Sequence, residues 1–581
     1  MKKYILLLSV VCMFSCNDLF DKTNLESMGS DIVWKDPLLV ESYVNNLYAK
    51  YPSWSREEND FTDEARNGYR THKAWNVVKG EWGLESNPME YWAYSYIRKC
   101  NEILQNIDDV TMDEKLKDRM KGETLFFRAT AYFKMVIRYG GVPLILEPQT
   151  FDSEDLYPKR ASVDEIFDFV TKEYEKAAGF LSEFKTQDSN NFGRVTWGAC
   201  KAMEARAFLF WASPLYNTSQ DMSRWENASQ LNKEVIDSGL YELKENARDL
   251  FLDYQSPENI FAVYYKMPER YNGVDAMCKP LGIANGDAAH WGPLQELVDA
   301  FPTINGLDIA DDSTYDPTNP YANRDPRLNA FVVVNETQYC GRTQYSYFDL
   351  GTIDPSFPKE EADRYKSWEA KGEFQDAAGS AHNSLTSYLC RKVIKEDLPK
   401  DGYSYGWGSE TPFIEIRLGE VYLNYAEALN EQGNINGACE QLKIIRQRAG
   451  ILNPEVPAKN KASKEALRRF IQNERYIELC FEQKRYWDLR RWKIATNHLG
   501  GQKFSGMKIY LNLLNNSDII SSEQYKKASF TEQLDMLRKS WTYERYTVDE
   551  APYVFDEKMY FMPIPRNDME TNPNLEQNNG W

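Results

Sequence analysis

IEIRLGEVYLNYAEALNEQGNINGACEQLKIIRQRAG, residues 414–450, is the clearest structural pattern in the chain. Its first half carries an apolar stripe at helical spacing, made of Leu418, Val421, Tyr422, Tyr425, Ala426 and Leu429. Gly433-Asn434 form a turn, and a second stripe follows, made of Ile435, Ala438, Leu442 and Ile445. Gly450 ends this unit of about 34 residues, whose helix–turn–helix layout predicts a hairpin of the tetratricopeptide type.

Helical patterns fill most of the first half of the chain and return in the last third. We predict helices over residues 37–51, 89–107, 112–139, 163–184, 195–216 and 222–238, then from about Ile414 onward and within 463–497. Stacked on the 414–450 hairpin, these helices would form one superhelix. Between about 240 and 410 the apolar runs are short, and glycine, proline and aromatic residues are frequent. The predicted fold is therefore mostly α: a tetratricopeptide-like helical-repeat scaffold with a large, irregular, loop-rich insert.

The start of the chain predicts a bacterial lipoprotein. Lys2-Lys3 precede an apolar segment, residues 4–14, that is shorter than the roughly 20 residues a membrane span needs. Ser15 and Cys16 follow, so we expect residues 1–15 to be a signal peptide cleaved before a lipidated Cys16. A soluble periplasmic protein is the alternative. The rest divides into an N-terminal helical region (16–240), an irregular subdomain (241–410) and a C-terminal helical region with a tail (411–581).

Composition excludes some classes of function. The net charge of −19 provides no basic footprint for nucleic acid and disfavours adhesion to anionic lipid. The cysteines include no CxxC pair and the four histidines are scattered, which argues against a zinc site or a disulfide framework. Aromatic residues make up 14% of the chain. They suit a large core, and the exposed members suit stacking on sugar rings.

One acidic stretch offers oxygen ligands for calcium: Asp308, Asp311, Asp312, Asp316 and Asn319. The stretch lacks the spacing of the EF-hand loop, so a solvated loop is the preferred interpretation and a structural calcium remains the alternative. The sequence predicts no other cofactor.

The C-terminal motifs resemble those of the SusD/RagB family. NERYIEL (473–479), Glu482 and RYWDLRRW (485–492) resemble one family signature, and MPIPR (562–566) with NPNLEQN (572–578) resembles the family's ending. Tyr476 stands where the family usually has arginine, and Asn579 where it usually has proline. Further matches extend the resemblance from about residue 90 to the end of the chain, in order.

The resemblance implies a function as well as a fold. It implies a non-enzymatic lipoprotein on the outer face of the outer membrane that captures an oligo- or polysaccharide. The captured glycan would pass to a SusC-like TonB-dependent transporter, on which the lipoprotein sits as a lid.

Three segments are candidates for binding this ligand. Sugar recognition needs a flat apolar face for the ring and polar groups for its hydroxyls. The first segment is the loop 61–88, whose candidate residues are Asp63, Arg70, Trp75, Trp82 and Asn87. Either of its two candidate tryptophans could supply the flat face, and the three polar residues could supply the hydrogen bonds. In the starch-binding member of the family, an Asp, an Arg, a Trp and an Asn follow the first helix, and Asp63, Arg70, Trp82 and Asn87 occur in the same order here. Tyr271 and Trp291, which lie among glycines, are candidates for a second wall of the binding site. The loop 403–408, around Trp407, is a third candidate.

Two other classes of function remain compatible with the sequence. Glu478 and Glu482 share a helix face, as the paired carboxylates of a surface glycosidase would. Neighbouring arginines favour a structural ion network instead, in which Asp488 also takes part through its i,i+3 neighbours. A peptide-binding or protein-binding helical-repeat scaffold is the other alternative.

Overall fold

The protein is described here from a computed structural model. It describes residues 33–55, 58–187, 191–279, 289–344, 346, 384–397, 408–511, 516–537 and 541–581. The predicted signal segment 1–15, Cys16 and nearly all of the 403–408 loop lie outside the described residues.

The N-terminal region contains the predicted helices, with ends set by capping residues. The Asp113 side chain accepts a hydrogen bond from the Leu116 N–H, and Gly140, at a φ of 73°, ends the same helix. Ser162 and Glu165 form a reciprocal capping box. The helices are α1 (Pro37–Lys50), α2 (Lys73–Val78), α3 (Tyr94–Asn106), α4 (Glu114–Tyr139), α5 (Val163–Phe180), α6 (Trp197–Ala212) and α7 (Ser223–Asp237).

The middle of the chain has only short elements among its described residues. Its helices are α8 (Val274–Cys278), α9 (Gln295–Ala300) and α10 (Pro326–Phe331). The strands up to this point are β1 (Ala65–Arg66), β2 (Asn259–Val263), β3 (Gly292–Pro293), β4 (Val332–Val333), β5 (Thr337–Tyr339), β6 (Arg342–Gln344) and β7 (Leu389–Cys390). They form two-stranded antiparallel pairs: β1 with β3, β4 with β7, and β5 with β6.

The C-terminal region begins with a strand, which corrects the prediction of helix from about Ile414. Strand β8 (Phe413–Arg417) pairs with β2, which lies near the start of the insert, and helix starts only at Leu418. The helices are α11 (Leu418–Glu431), α12 (Ile435–Arg448), α13 (Lys464–Glu478), α14 (Arg485–Arg491), α15 (Ala495–His498), α16 (Ser517–Ser521), α17 (Glu523–Lys527), α18 (Phe530–Leu537) and α19 (Arg566–Thr571). Strands β9 (Ser505–Leu511) and β10 (Trp541–Thr547) pair antiparallel, a feature that the sequence did not predict.

The long helices pack on one another in a continuous stack. Helix α4 packs on α5, α5 on α6, and α6 on α7, and α7 then packs on α11, which comes after the insert. Helix α11 packs in turn on α12 and α13, so the stack runs through both helical regions. The mostly α fold is confirmed. No helix within the described ranges is both long and apolar enough to cross a membrane.

Ionic contacts hold the insert against the C-terminal helices. Each of the ten side chains of this central ion cluster is at most 5% exposed. Its carboxylates and cations are equal in number, so the cluster is neutral. Its members are Glu258, Asp325, Glu474, Glu478, Glu482, Arg327, Lys392, Arg417, Arg446 and Arg448.

A second buried group centres on Asp488. Its carboxylate lies 3.0 Å from Arg475 Nε and 2.8 Å from Arg491 Nε, and Arg491 also contacts Glu427. Burial alone would raise the pKa of Asp488, but the two guanidinium groups hold it below its usual value. Asp488 is therefore an ionised link between α13 and α14.

Replacing Asp488 with alanine should destabilise the protein by about 3–5 kcal/mol, because Arg475 and Arg491 would keep buried, uncompensated charge. Chemical denaturation measures the change. The control is Lys172→Ala, which removes an exposed pair with Asp168 and should cost under about 1 kcal/mol. Equal stability losses in the two variants would contradict a structural role for Asp488.

Candidate functional site

The structure brings the two predicted walls together. Strand β1, inside the 61–88 loop, pairs with β3, so that Ala65 lies opposite Pro293 and Arg66 opposite Gly292. The backbone N–H of Trp291 donates to the Asp60 carboxylate at 3.2 Å. Most of the predicted binding residues nevertheless point into the protein rather than toward solvent.

Asp63 is part of the ionic core. Its carboxylate accepts hydrogen bonds from Arg485 Nη2 at 2.8 Å and Nε at 3.0 Å, and lies 2.7 Å from His498 Nε2. Burial acts to raise the pKa of Asp63, but Arg485 and His498 hold it well below the usual range. The Asp63 side chain is 2% exposed and its oxygens are already engaged, which argues against contact with sugar hydroxyls and favours a structural role.

The three predicted tryptophans are also buried. Trp291 is 0% exposed and packs near Trp54, at 5.8 Å between ring centroids. Trp75 is 3% exposed and its indole N–H donates to the Asn67 carbonyl at 3.1 Å. Trp82 is 7% exposed and packs on Trp581, at 5.0 Å between ring centroids. None of the three presents an open ring face for stacking in this structure, and their burial favours a role in packing the core.

The remaining predicted residues are accessible. Tyr271 is 43% exposed. The side chain of Arg70 is 36% exposed; its Nη2 donates to the Val548 carbonyl at 3.0 Å and its Nε lies 3.3 Å from Glu550. The Arg70 guanidinium also lies over the Trp75 ring, at 5.2 Å from its centroid. Asn87 is half-buried, and its side-chain oxygen accepts a hydrogen bond from the Met89 N–H at 3.0 Å.

Three of the predicted residues have a donor without an acceptor. Arg70 Nη1, Trp82 Nε1 and Asn87 Nδ2 are buried atoms that make no hydrogen bond within the described part of the chain. An unsatisfied buried donor costs about 1–3 kcal/mol, so such atoms are uncommon in a folded protein without a functional reason.

The sequence analysis missed the residues that surround Arg70. Glu550 and Val548 lie close to it, although they are separated from it by nearly the whole chain. Beside Arg70 in sequence, the His72 ring lies 5.2 Å from the His290 ring, and the Tyr69 ring lies 6.3 Å from the His290 ring. The aromatic and basic content of 69–72 was a usable signal for this cluster, whereas nothing in residues 546–550 suggested proximity to the loop.

The paired carboxylates Glu478 and Glu482 belong to the central ion cluster. Glu478 contacts Arg327 and Arg417, each at 3.0 Å, and Glu482 contacts Lys392 at 2.7 Å. Despite burial, which acts in the opposite direction, the pKa of Glu482 is lowered to about 2 by Arg417 and Lys392. A glycosidase needs a carboxyl group whose raised pKa keeps it protonated as an acid. These two carboxylates are counter-ions in the core, which favours the structural interpretation of the pair over the catalytic one.

The acidic stretch 308–319 makes contacts within the protein. Asp308 and Asp311 both contact Lys459. Asp312 accepts hydrogen bonds from Thr303 at 2.6 Å and from Asn305 at 3.0 Å. Within the described residues, no three or more acidic, histidine or cysteine side chains converge as a metal site would require. Calcium binding stays an untested alternative.

Comparisons with known proteins point to one family. A sequence model of the SusD family matches residues 257–581, and a second model, described as starch-binding associating with outer membrane, matches residues 19–209. The SusD-like protein P38 of Formosa agariphila is 26% identical over 432 residues, which cover 70% of this chain and 72% of that protein.

Solved structures share the fold. A SusD-like protein from Bacteroides fragilis superimposes with a TM-score of 0.73 at 26% identity, covering 95% of this chain and 98% of that one. A SusD-like carbohydrate-binding protein from the same species gives 0.72 at 24% identity, covering 94% and 100%. A laminarin-binding SusD-like protein gives 0.62 at 20% identity, covering 94% and 100%.

Replacing Trp291 with alanine should act on stability rather than on ligand contact. Loss of a fully buried indole should cost about 3–5 kcal/mol, measured by chemical denaturation. Phe151→Ala removes an aromatic ring that is 100% exposed and should leave stability unchanged. A Trp291→Ala protein that unfolds like the wild type but loses ligand binding would return Trp291 to the binding site.

Proposed function

Since the chain belongs to the SusD family, we propose that it is a cell-surface lipoprotein that captures an oligo- or polysaccharide. We further propose that it delivers this glycan, uncleaved, to a SusC-like TonB-dependent transporter. Two similarities support the proposal: one matching family model is described as starch-binding and associating with outer membrane, and fold neighbours include carbohydrate-binding and laminarin-binding proteins. The lipid anchor would hold the protein on the outer face of the outer membrane.

The observation that carries the proposed binding site is the pair of unpartnered donors on Arg70 and Asn87. A sugar hydroxyl accepts as well as donates hydrogen bonds, and can therefore satisfy such donors. Arg70 is the better placed of the two, because its side chain is partly exposed while Val548 and Glu550 fix its orientation.

The pairing of Arg70 with Glu550 adds to this chemistry. The arginine offers N–H donors and the glutamate, whose side chain is 67% exposed, offers acceptor oxygens. Neighbouring hydroxyls on a sugar ring need both hydrogen-bond donors and hydrogen-bond acceptors. Tyr271, which is 43% exposed, is the accessible aromatic ring among the predicted residues and would supply an apolar face.

Replacing Arg70 with alanine should weaken glycan binding by roughly ten- to a hundredfold, because hydrogen bonds to a charged group contribute about 1.5–3 kcal/mol. Calorimetric titration with laminarin, starch, xylan and mannan measures the loss. Arg98→Ala is the matched control, since Arg98 is half-exposed and paired with Glu102 on α3.

Unchanged affinity in a folded Arg70→Ala protein would remove Arg70 from the site. Reducing ends should also be assayed in every mixture. Their release by the wild-type protein would contradict the non-enzymatic part of the proposal.

Replacing Cys16 with alanine should release the protein from the outer-membrane fraction, because lipid on Cys16 is the proposed anchor. Palmitate labelling and fractionation after a salt wash measure this. Cys12→Ala is the matched control and should stay labelled and membrane-bound. Persistent labelling of the Cys16→Ala protein would mean that Cys16 is not the lipidated residue.

A further inference from the structure

A separate cleft lies where the N-terminal helices meet the start of the insert. Its volume is about 680 Å³, within the roughly 300–1,000 Å³ of typical small-molecule sites. Its walls come from the segment that precedes α6, from the chain after α7, and from the turn that leads into β2. None of the described residues that line it belongs to 61–88 or to 271–291.

Three aromatic rings form one wall of this cleft. The Phe192 and Tyr264 rings lie 4.4 Å apart between centroids, with their planes 39° apart. Tyr254 continues the row at 6.2 Å from Tyr264 and 30° from its plane. The Tyr254 hydroxyl donates to the Glu410 carbonyl at 2.6 Å, which fixes its ring. Phe192 is 41% exposed, although a phenylalanine normally buries its ring. The row is therefore a platform with accessible apolar surface.

The cleft also contains the amide of Asn259, at the start of β2. Its Oδ1 and Nδ2 are buried atoms that make no hydrogen bond of normal geometry to any described group, although the amide contacts the Tyr264 hydroxyl. The neighbouring Tyr264 hydroxyl has a pKa raised to about 12 by burial, which contact with the Asn259 amide opposes. An amide that offers one acceptor and two donors beside a flat apolar wall suits a ring that carries hydroxyls.

The described lining of the cleft is uncharged. None of the described residues that line it is acidic or basic, in a chain whose residues are 27% charged. A carboxylated or sulfated sugar would find no cation here to offset its loss of hydration. Neutral polar groups from glutamine, serine and threonine complete the lining.

From the aromatic platform, the Asn259 amide and the absence of charge among the described lining residues, we propose that this cleft is a second glycan-binding site, specific for neutral sugars. The inference rests on the proposed function, because both sites take a glycan, and it adds a site that shares no residue with the first. One long polysaccharide could occupy both sites and be retained by the gain in effective concentration.

The test uses the full-length protein and neutral hexasaccharides of β-1,3-glucan, α-1,4-glucan and xylan. Wild-type protein should bind two molecules of the preferred hexasaccharide, measured by equilibrium titration. Phe192→Ala and Asn259→Ala should each weaken the cleft site by about tenfold or more and reduce the measured stoichiometry to one. Phe151→Ala, which removes an exposed phenylalanine elsewhere, should bind like the wild type.

Folding is controlled by thermal melting. Asn259→Ala removes the contact of the amide with the Tyr264 hydroxyl but no hydrogen bond of normal geometry to a described group, so it should change the melting temperature little. A variant that keeps its melting temperature separates ligand contact from stability, even if Phe192→Ala melts earlier.

Arg70→Ala distinguishes this inference from the proposed first site. If Arg70→Ala abolishes all binding while both cleft variants bind like the wild type, the second site is wrong and the first stands. If the cleft variants lose all binding and Arg70→Ala loses none, the cleft is the glycan site and the Arg70 site is wrong. Binding restricted to oligogalacturonate, or no binding of any neutral hexasaccharide, would overturn the cleft proposal.

Discussion

The buried charge of the central ion cluster is the constraint on which the rest of the structure depends. Arg417 joins Glu258, Glu478 and Glu482, and so ties the segment just before β2 to α13 and its following turn. Removing so many charges from water is unfavourable unless every one is compensated. The cluster meets this requirement only when β2, the insert and the C-terminal helices occupy their native positions together. The depressed pKa of Glu482, about 2 against an ordinary 4.5, means that its contribution is present at neutral pH and is lost as the pH falls through this interval.

Burial also explains why the family motifs are charged. The NERYIEL and RYWDLRRW segments supply Glu474, Arg475, Glu478, Arg485, Asp488 and Arg491, all of them buried. Arg485 reaches Asp63 across 422 positions of sequence and thereby fixes the 61–88 loop. Charged residues on amphipathic helices normally face solvent. In this protein they face one another, and the aromatic residues are packed around them, as the Arg485 guanidinium over the Tyr476 ring illustrates at 3.9 Å.

Local pattern predicted the helical scaffold well, because helix formation depends on residues three or four positions apart. The ends of α4 follow from Asp113 and Gly140, both visible in the sequence. The start of α11 was misplaced because residues 413–417 form a strand only by pairing with β2, about 150 residues earlier. The site was harder to predict for the same reason. Asp63, Trp82 and Trp291 have the chemistry of sugar recognition, but their burial is decided by His498, Trp581 and Trp54, partners that no local pattern identifies.

The pairing of β2 with β8 has an evolutionary consequence. Val263 lies opposite Phe413, so the chain leaves the scaffold and re-enters it at neighbouring backbone positions. The region between the two strands is a loop whose ends are already held together by this pairing. The entropy cost of closing such a loop grows only slowly with its length. Insertions, deletions and whole-segment exchange within the intervening region therefore cost the helical stack little, provided that the residues of the central ion cluster are kept. Such an arrangement lets a lineage diversify its recognition surface while inheriting an unchanged frame, and it marks these two strands as natural junctions for building chimeras.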